Sequence, residues 1–123
     1  MQQLKIIQDY IYKNKIKVRV VKCKTVREKN GIPFSSRNLN LSKDSKFIAS
    51  KVFRLIKKEK KNLINKKTSI KKIIKKMKNL GVEEIDYIQL ININRLIKPF
   101  KKKIMYKIFM AYYIKSTRLI DNI

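Results

Sequence analysis

The chain has 123 residues, of which 44% are hydrophobic and 33% charged, so it can form one folded domain and is too apolar for a disordered chain. Its 33 Lys and Arg residues against 8 Asp and Glu give a formal net charge of +25. This charge raises the question of a nucleic-acid or acidic-membrane partner. We prefer codon composition as its cause, because Lys, Ile and Asn all have A/T-rich codons and the lysines are spread along many segments.

The residue inventory excludes several kinds of chemistry. With no histidine and a single cysteine, Cys23, the chain cannot build a His-based triad, a His or Cys metal site or an internal disulfide. A lone cysteine is more often a small buried hydrophobe than a nucleophile. The carboxylates of Glu83, Glu84 and Asp86 would alternate sides on a strand, so we expect exposed strand-edge charges. No apolar run is long enough to cross a bilayer or form a signal sequence, which predicts a cytoplasmic protein without membrane contact.

The first third of the chain predicts a helix, a strand and a loop. Residues 2–13 place apolar side chains on one face at helical spacing. Residues 17–23 are rich in β-branched residues and partly alternating, which predicts a strand. Between residues 24 and 41 the periodicity vanishes, and Asn30, Gly31 and Pro33 are typical of turns. We therefore expect a loop here, the kind of segment that often carries function.

The remainder predicts two helices followed by strands. Ser42 is a suitable N-cap for one helix, and Thr68 or Ser69 for a second that stops at Gly81. Residues 85–91 and 103–115 are rich in Ile, Tyr and Phe, which favours two strands, with a short turn or helical connection over residues 92–97 and a tail after them. The expected fold class is α+β, with antiparallel strands plus helices.

The tract from Thr25 to Ser42 reads T-V-R-E-K-N-G-I-P-F-S-S-R-N-L-N-L-S and resembles the pantothenate synthetase signature T-V-R-E-x-x-G-L-A-M-S-S-R-N-x-x-L-S. Residues 2–4 are similar to the end of that family's F-G-x-K-D-Y-Q-Q-L motif. Residues 84–90 are similar to its V-D-Y-L-E-L segment, and residues 117–123 to its T-R-L-I-D-N-I terminus. The resemblance covers the whole chain and corresponds to the C-terminal part of the family.

The resemblance implies roles for six residues. It places Gln3 at the glutamine that hydrogen-bonds pantoate, and Val26 at the residue whose backbone meets the ATP purine. It makes the segment from Phe34 through Ser35 and Ser36 to Arg37 the mobile ATP loop, with catalytic roles for the two serines and the arginine: hydroxyls, backbone N–H groups and a guanidinium would hold phosphate oxygens. From residue types alone, the same positions would be an exposed amide, a core valine, a capping Ser pair and a surface arginine.

Two positions depart from the family pattern. Phe34 stands where methionine is usual, and Lys24 where proline is usual. Contacts made only by backbone atoms would tolerate the first change.

The reaction that the resemblance implies has two steps. The carboxylate of pantoate attacks the α-phosphorus of ATP, with Mg²⁺ shielding the phosphates, and gives pantoyl adenylate and pyrophosphate. The amine of β-alanine then displaces AMP. The family supplies the remaining catalytic groups from its H-I-G-H and F-G-x-K-D motifs, which would lie before position 1. We therefore expect the isolated chain to be inactive.

The resemblance also implies a division of the chain. Residues 1–37 would be the last helix and strand of a Rossmann-like nucleotide-binding domain, including the ATP loop, and residues 38–123 the small C-terminal lid. A strand without neighbours would leave backbone edges and apolar faces uncovered. We expect a sticky or unstable isolated chain, a homodimer, or co-folding with a separate N-terminal half.

Two other functions stay open at this stage. A basic nucleic-acid-binding module could use the Lys, Tyr and Phe residues between Lys98 and Lys115 for phosphate contacts and base stacking. The chain could also be a non-catalytic dimerisation piece, since the family it resembles commonly forms dimers.

Overall fold

The computed structural model describes residues 2–95 and 104–123, without the side chain of Gln2. The fold is mixed α+β, as the sequence predicts. In chain order its elements are helix α1 (Gln2–Lys13), a 3-10 helix (Ser36–Asn40), helices α2 (Lys43–Ile64) and α3 (Ile70–Asn79), strand β1 (Glu84–Asn92), a second 3-10 helix (Ile93–Arg95), and strands β2 (Tyr106–Ile114) and β3 (Thr117–Asn122).

Helix α1 spans the residues that the apolar spacing predicts. Asp9 and Lys13 form an ion pair of 2.8 Å one turn apart, and the side-chain amide of Asn14 donates to the Tyr10 carbonyl at 2.8 Å at the end of the helix. Much of its apolar surface is nevertheless open to solvent: Ile6, Ile7, Tyr10 and Tyr12 are all exposed. Helix α1 therefore has an apolar face that the described residues leave largely uncovered.

The predicted strand over residues 17–23 is absent from the structure, and this prediction was wrong. Val18 forms only a local backbone bond, its N–H donating to the Ile16 carbonyl at 2.8 Å. A strand exists only when a neighbouring strand completes its hydrogen bonds, and no described segment pairs with this one. The expectation of a buried cysteine was also wrong, because Cys23 lies in this open segment and is exposed.

Both central helices begin at the predicted serines. The Ser42 hydroxyl accepts from the Ser45 N–H at 3.2 Å at the start of α2, and the Ser69 hydroxyl accepts from the Lys72 N–H at 3.3 Å at the start of α3. Each serine satisfies a backbone donor that has no partner within its helix. Gly81 follows α3 with φ of +102°, the left-handed conformation that ends helices.

A buried carboxylate joins α2 to α3. Glu59 on α2 accepts from Lys76 Nζ on α3 at 2.6 Å and from the Asn62 amide at 3.0 Å. Its side chain is buried, so these hydrogen bonds replace the ones that the carboxylate would form with water.

The three strands form an antiparallel sheet in the order β1, β2, β3. The strands predicted at residues 85–91 and 103–115 are confirmed as β1 and β2. Residue 103, at the start of the second prediction, and residues 96–97, at the end of the predicted connection, lie outside the described residues. Thr117–Asn122 forms a third strand that the sequence had not predicted, joined to β2 by the two residues Lys115 and Ser116. As expected, Glu83, Glu84 and Asp86 are exposed.

The main core lies between one face of the sheet and the two central helices. Its fully buried side chains come from α2, α3 and the central strand β2, and they include Val52, Ile56, Ile73, Met77, Ile108 and Met110. β2 has a strand on each side and is buried along most of its length, and its alternate residues from Ile108 to Ile114 face the helices. In the described part of the chain, no helix is both long and apolar enough to cross a membrane.

Glu59 provides a pH-dependent test of the helix pair. The hydrogen bonds from Lys76 and then Asn62 hold the pKa of Glu59 below its usual value of 4.5. The carboxylate therefore stabilises the fold above that pH, and this contribution is lost as the pH falls through the folded-state pKa. We expect Glu59→Gln to reduce the free energy of unfolding by about 1–2 kcal/mol at pH 7 and by much less at pH 3.

The measurement is urea unfolding of the wild type and the variant at both pH values. Glu83→Gln, at an exposed position, serves as the charge-matched control and should change little. An equal loss for Glu59→Gln at both pH values would contradict the role assigned to this carboxylate.

Candidate functional site

The loop between α1 and α2 folds back on itself over residues 26–34. Glu28 N–H donates to the Ile32 carbonyl at 2.8 Å, and Phe34 N–H donates to the Val26 carbonyl at 3.1 Å. Gly31 lies within this turn with φ of +92°, a conformation that residues with a side chain rarely adopt. The loop predicted from the sequence therefore has a defined backbone.

Arg27 ties this loop to the last strand. Its guanidinium donates to both carboxylate oxygens of Asp121 at 2.8 Å, to the Gly31 carbonyl at 2.9 Å and to the Asn122 carbonyl at 3.1 Å. It also lies 4.6 Å from the centre of the Phe53 ring on α2. One side chain thus connects the loop, strand β3 and helix α2.

A second network braces the loop from inside. Glu28 accepts from the Asn38 amide at 2.6 Å and from the Asn30 amide at 3.0 Å, while Asn38 also donates to the Pro33 carbonyl at 2.9 Å. The side-chain oxygen of Asn30 accepts from the Ile32 N–H at 3.0 Å. These contacts hold both ends of the segment that contains the predicted site.

A small cavity of about 50 Å³ lies where this loop meets β2 and β3, and Ser35, Arg37, Asn38, Tyr112 and Asp121 are among the residues that line it. Asn38 is 4% exposed, and its side-chain oxygen accepts no hydrogen bond from any residue that the structure describes. Burial, and then the nearby Asp121 carboxylate, raise the pKa of Tyr112, so its hydroxyl keeps its proton at neutral pH.

Five of the six predicted site residues lie in the loop between α1 and α2, but only two of them line the small cavity. Ser35 and Arg37 line one cavity, with Ser36 between them in sequence, and the backbones of Val26 and Phe34 are hydrogen-bonded to each other. The side chains of these five residues are all exposed. Gln3 is exposed on α1 and is not part of the cavity lining.

The side chains of Ser35 and Arg37 have different local surroundings. The Ser35 hydroxyl accepts from the Arg37 N–H at 3.2 Å, and so caps the 3-10 helix Ser36–Asn40. Within residues 2–95 and 104–123, the Arg37 guanidinium takes part in no ion pair. It is a cation available for an external anion.

Sequence reasoning assigned no role to Arg27, Glu28, Asn38 and Asp121. All four lie in the tracts that carry the family resemblance, and that was the only signal for them. Their partners could not be read from the sequence, because Arg27 and Asp121 are separated by 94 positions.

A larger, open cavity of about 480 Å³ lies between α1 and the segment after it. Its lining is mainly apolar and includes Ile11, Tyr12, Ile16, Val18 and Val20. It adjoins the exposed apolar surface of α1, and so is a candidate for contact with another polypeptide.

These features define a small α+β module that presents an exposed Ser-Ser-Arg loop from a base fixed by buried polar contacts. The family model for pantoate-beta-alanine ligase matches residues 1–123. The chain therefore belongs to the pantoate-beta-alanine ligase family, whose reaction lies in pantothenate biosynthesis, and corresponds to its C-terminal portion.

Individual proteins similar to this chain carry names of the same family. Pantothenate synthetase of Flavobacterium psychrophilum is 32% identical over 126 residues, which cover 99% of this chain and 45% of the relative. The Francisella tularensis pantoate-beta-alanine ligase, solved in complex with beta-gamma ATP and beta-alanine, is 28% identical with a TM-score of 0.70, covering 98% of this chain and 39% of that one.

The Thermus thermophilus pantothenate synthetase structure is 22% identical with a TM-score of 0.71 over 98% of this chain and 45% of that one, which shows a shared fold. The chain thus spans less than half the length of these relatives.

Gly31 gives a direct test of the loop conformation. A Cβ at this position would lie 2.3 Å from a ring carbon of Phe53, and its φ is unfavourable for alanine. We expect Gly31→Ala to lower the free energy of unfolding by about 2–4 kcal/mol through overpacking and backbone strain. Thermal and urea unfolding would measure the loss.

Gly81→Ala is the matched control. Gly81 has a similar φ of +102°, but an added Cβ would meet only the end of the flexible Ile48 side chain at 2.9 Å. Gly31→Ala should therefore cost more than Gly81→Ala, and equal losses would show that packing against Phe53 does not constrain the loop.

Proposed function

We propose that this chain is the C-terminal part of a pantoate-beta-alanine ligase, and that it contributes an ATP loop and a lid to the ATP-dependent joining of pantoate and β-alanine. In this reaction pantoyl adenylate forms with release of pyrophosphate, and β-alanine then displaces AMP. The observation that carries the proposal is the loop itself, whose Ser35-Ser36-Arg37 tip is exposed while Arg27 and Glu28 fix its base.

The proposed division of labour follows the two parts of the chain. Residues 1–37 would belong to the nucleotide-binding domain, and residues 38–123 would form the lid. The boundary falls inside the 3-10 helix Ser36–Asn40, directly after the loop tip.

In the ATP loop, we assign Ser35, Ser36 and Arg37 to the phosphates. A guanidinium can form paired, charge-assisted hydrogen bonds with phosphate oxygens, and the Arg37 side chain is exposed and outside any ion pair of the described residues. Charge that develops on the departing pyrophosphate would be offset by this cation.

For the purine we assign the backbone of Val26. Its carbonyl accepts from Phe34 N–H at 3.1 Å and keeps a second lone pair, so the two sides of the turn would present a hydrogen-bonding edge to the base. Phe34, whose side chain is exposed beside it, would pack on the nucleotide.

Mg²⁺ is implied by the family resemblance. Among the described residues, no group of three or more His, Cys, Asp or Glu side chains could hold a metal ion. We therefore assign no residue of this chain to Mg²⁺.

Pantoate is assigned to Gln3, whose amide can donate to and accept from a hydroxy acid. Gln3 is exposed near the start of α1, at the end of the apolar surface that the described residues leave open. We propose that a polypeptide with the family's N-terminal half, which carries the H-I-G-H and F-G-x-K-D motifs, covers this surface and completes the pantoate site. A homodimer of the whole ligase is compatible with this arrangement.

The nucleic-acid alternative loses part of its support in the structure. Phe109 and Tyr112 of the predicted stacking segment are buried in the sheet, so their rings cannot stack on bases. Residues 98–103 of that segment lie outside the described residues. RNA or DNA affinity that falls steeply with salt, together with no response to ATP plus pantoate, would favour this alternative over the ligase.

The catalytic assignment can be tested by supplying the family's N-terminal half in trans and measuring ATP-dependent pantothenate formation. We expect Arg37→Ala to lower kcat by about 100-fold, because it removes a cation that faces developing charge. Gln3→Ala should raise the KM for pantoate about tenfold through loss of hydrogen bonds.

Arg54→Ala, which removes an exposed arginine on α2, is the control for net charge and should leave activity unchanged. If the reconstituted activity is indifferent to both Arg37→Ala and Gln3→Ala, the site assignment is wrong.

The proposed contact with the N-terminal half gives a separate test. Ile7→Asp puts a charge on the exposed apolar side of α1 and should weaken association of the two purified polypeptides at least about tenfold. Phe47→Asp makes the same change at an exposed position on α2 and should have little effect. Calorimetric titration measures both, and equal weakening by the two variants would contradict the proposed interface.

A further inference from the structure

Arg27 is placed to hold the loop, and its own donors are nearly all used. Its two terminal nitrogens donate four hydrogen bonds, two to Asp121 and one each to the carbonyls of Gly31 and Asn122. A guanidinium has five donors in total. With its side chain 21% exposed and its flat face over Phe53, Arg27 has little capacity left for a ligand.

Most of the hydrogen bonds that the Asp121 carboxylate accepts come from this arginine. Its side chain is 4% exposed, both of its oxygens accept from Arg27, and one also accepts from the Asn122 N–H at 2.6 Å. A buried carboxylate is costly unless such donors surround it. The pair therefore fixes the position of the loop relative to β3, in which Asp121 pairs with Met110 of β2.

Contacts connect this pair to the loop tip, Ser35-Ser36-Arg37. Arg27 and Pro33 form an isolated antiparallel bridge, and Ser35 follows two residues later. Asn38, just beyond the tip, is held through Glu28, the neighbour of Arg27. A shift of Arg27 would therefore move both ends of the segment that contains Ser35, Ser36 and Arg37.

We infer that Arg27 and Asp121 are positioning residues for the ATP loop, so that the last strand of the chain controls how Ser35, Ser36 and Arg37 are presented to the nucleotide phosphates. This inference rests on the proposed function for its link to ATP. The positioning itself is a property of the chain and can be measured without activity.

The test uses backbone amide exchange in this chain and kinetics in the complex with the N-terminal half. Asp121→Asn removes the charge and keeps the shape, while Arg27→Lys keeps the charge and loses the fork geometry. The matched control is Asp86→Asn, which removes the same charge from the exposed pair that Asp86 forms with Arg118 on the sheet.

In both test variants, the amides of Phe34 and Asn38, which donate to Val26 and Ser35, should exchange about tenfold faster than in the wild type. The amide of Ile73 in α3 should stay within about twofold, as should all three amides in Asp86→Asn. Unchanged exchange at Phe34 and Asn38, or an equal increase at Ile73, would overturn the inference. If Asp121→Asn unfolds the chain, Arg27→Lys decides.

In the complex, the KM for ATP should rise about tenfold in both test variants, whereas the KM for β-alanine should stay within about twofold. Equal increases for the two substrates would show a general structural role and would also overturn the inference. A wild-type complex that forms no pantothenate would count against the proposed function alone, because the exchange result would still decide whether Arg27 and Asp121 position the loop.

Discussion

The ion pair between Arg27 and Asp121 is the contact on which the arrangement of the loop depends. It joins a segment without regular secondary structure to the edge strand of the sheet across most of the length of the chain. Both partners are largely removed from water, where a bidentate pair is stronger and more directional than on the surface. Without it, the turn at Gly31 would keep its short-range hydrogen bonds, the bond from the Ser50 hydroxyl to the Asn30 carbonyl and its packing against Phe53, but would lose its link to β3.

The parts of the fold that could be predicted are those set by local sequence. Periodic apolar residues and the caps Ser42 and Ser69 gave the central helices, and the aromatic and β-branched runs gave β1 and β2. The failure at residues 17–23 has a physical cause, since a β-rich composition cannot form a strand without a neighbour. β3 was missed because it is short and its alternation is interrupted by Asp121 and Asn122, whose polarity is explained only by long-range partners.

The candidate site, like the fold, could be predicted only in part from the sequence. The exposed positions around Ser35 and Arg37 were found through resemblance, whereas the residues that support them were recognised only from their contacts. The structure also shows how a chain with so few acids uses them: Glu28 braces the loop, Glu59 joins the two central helices, and Asp121 anchors the loop to the sheet. Most of the lysines that the structure describes are exposed, on the helices and in the segments between them, where they cost the fold little.

The pairing at the end of β3 has a consequence for how the polypeptide would respond to proteolytic trimming. Ile123 exchanges two backbone hydrogen bonds of 2.9 Å with Ile108, which protects its neighbours Asp121 and Asn122 from fraying. A protease that removed residues 121–123 would take away the carboxylate that holds Arg27. The caps of α2 and α3 and the Glu59 contact between them do not involve these residues, so helical content would not reveal the loss, whereas the order of the loop would.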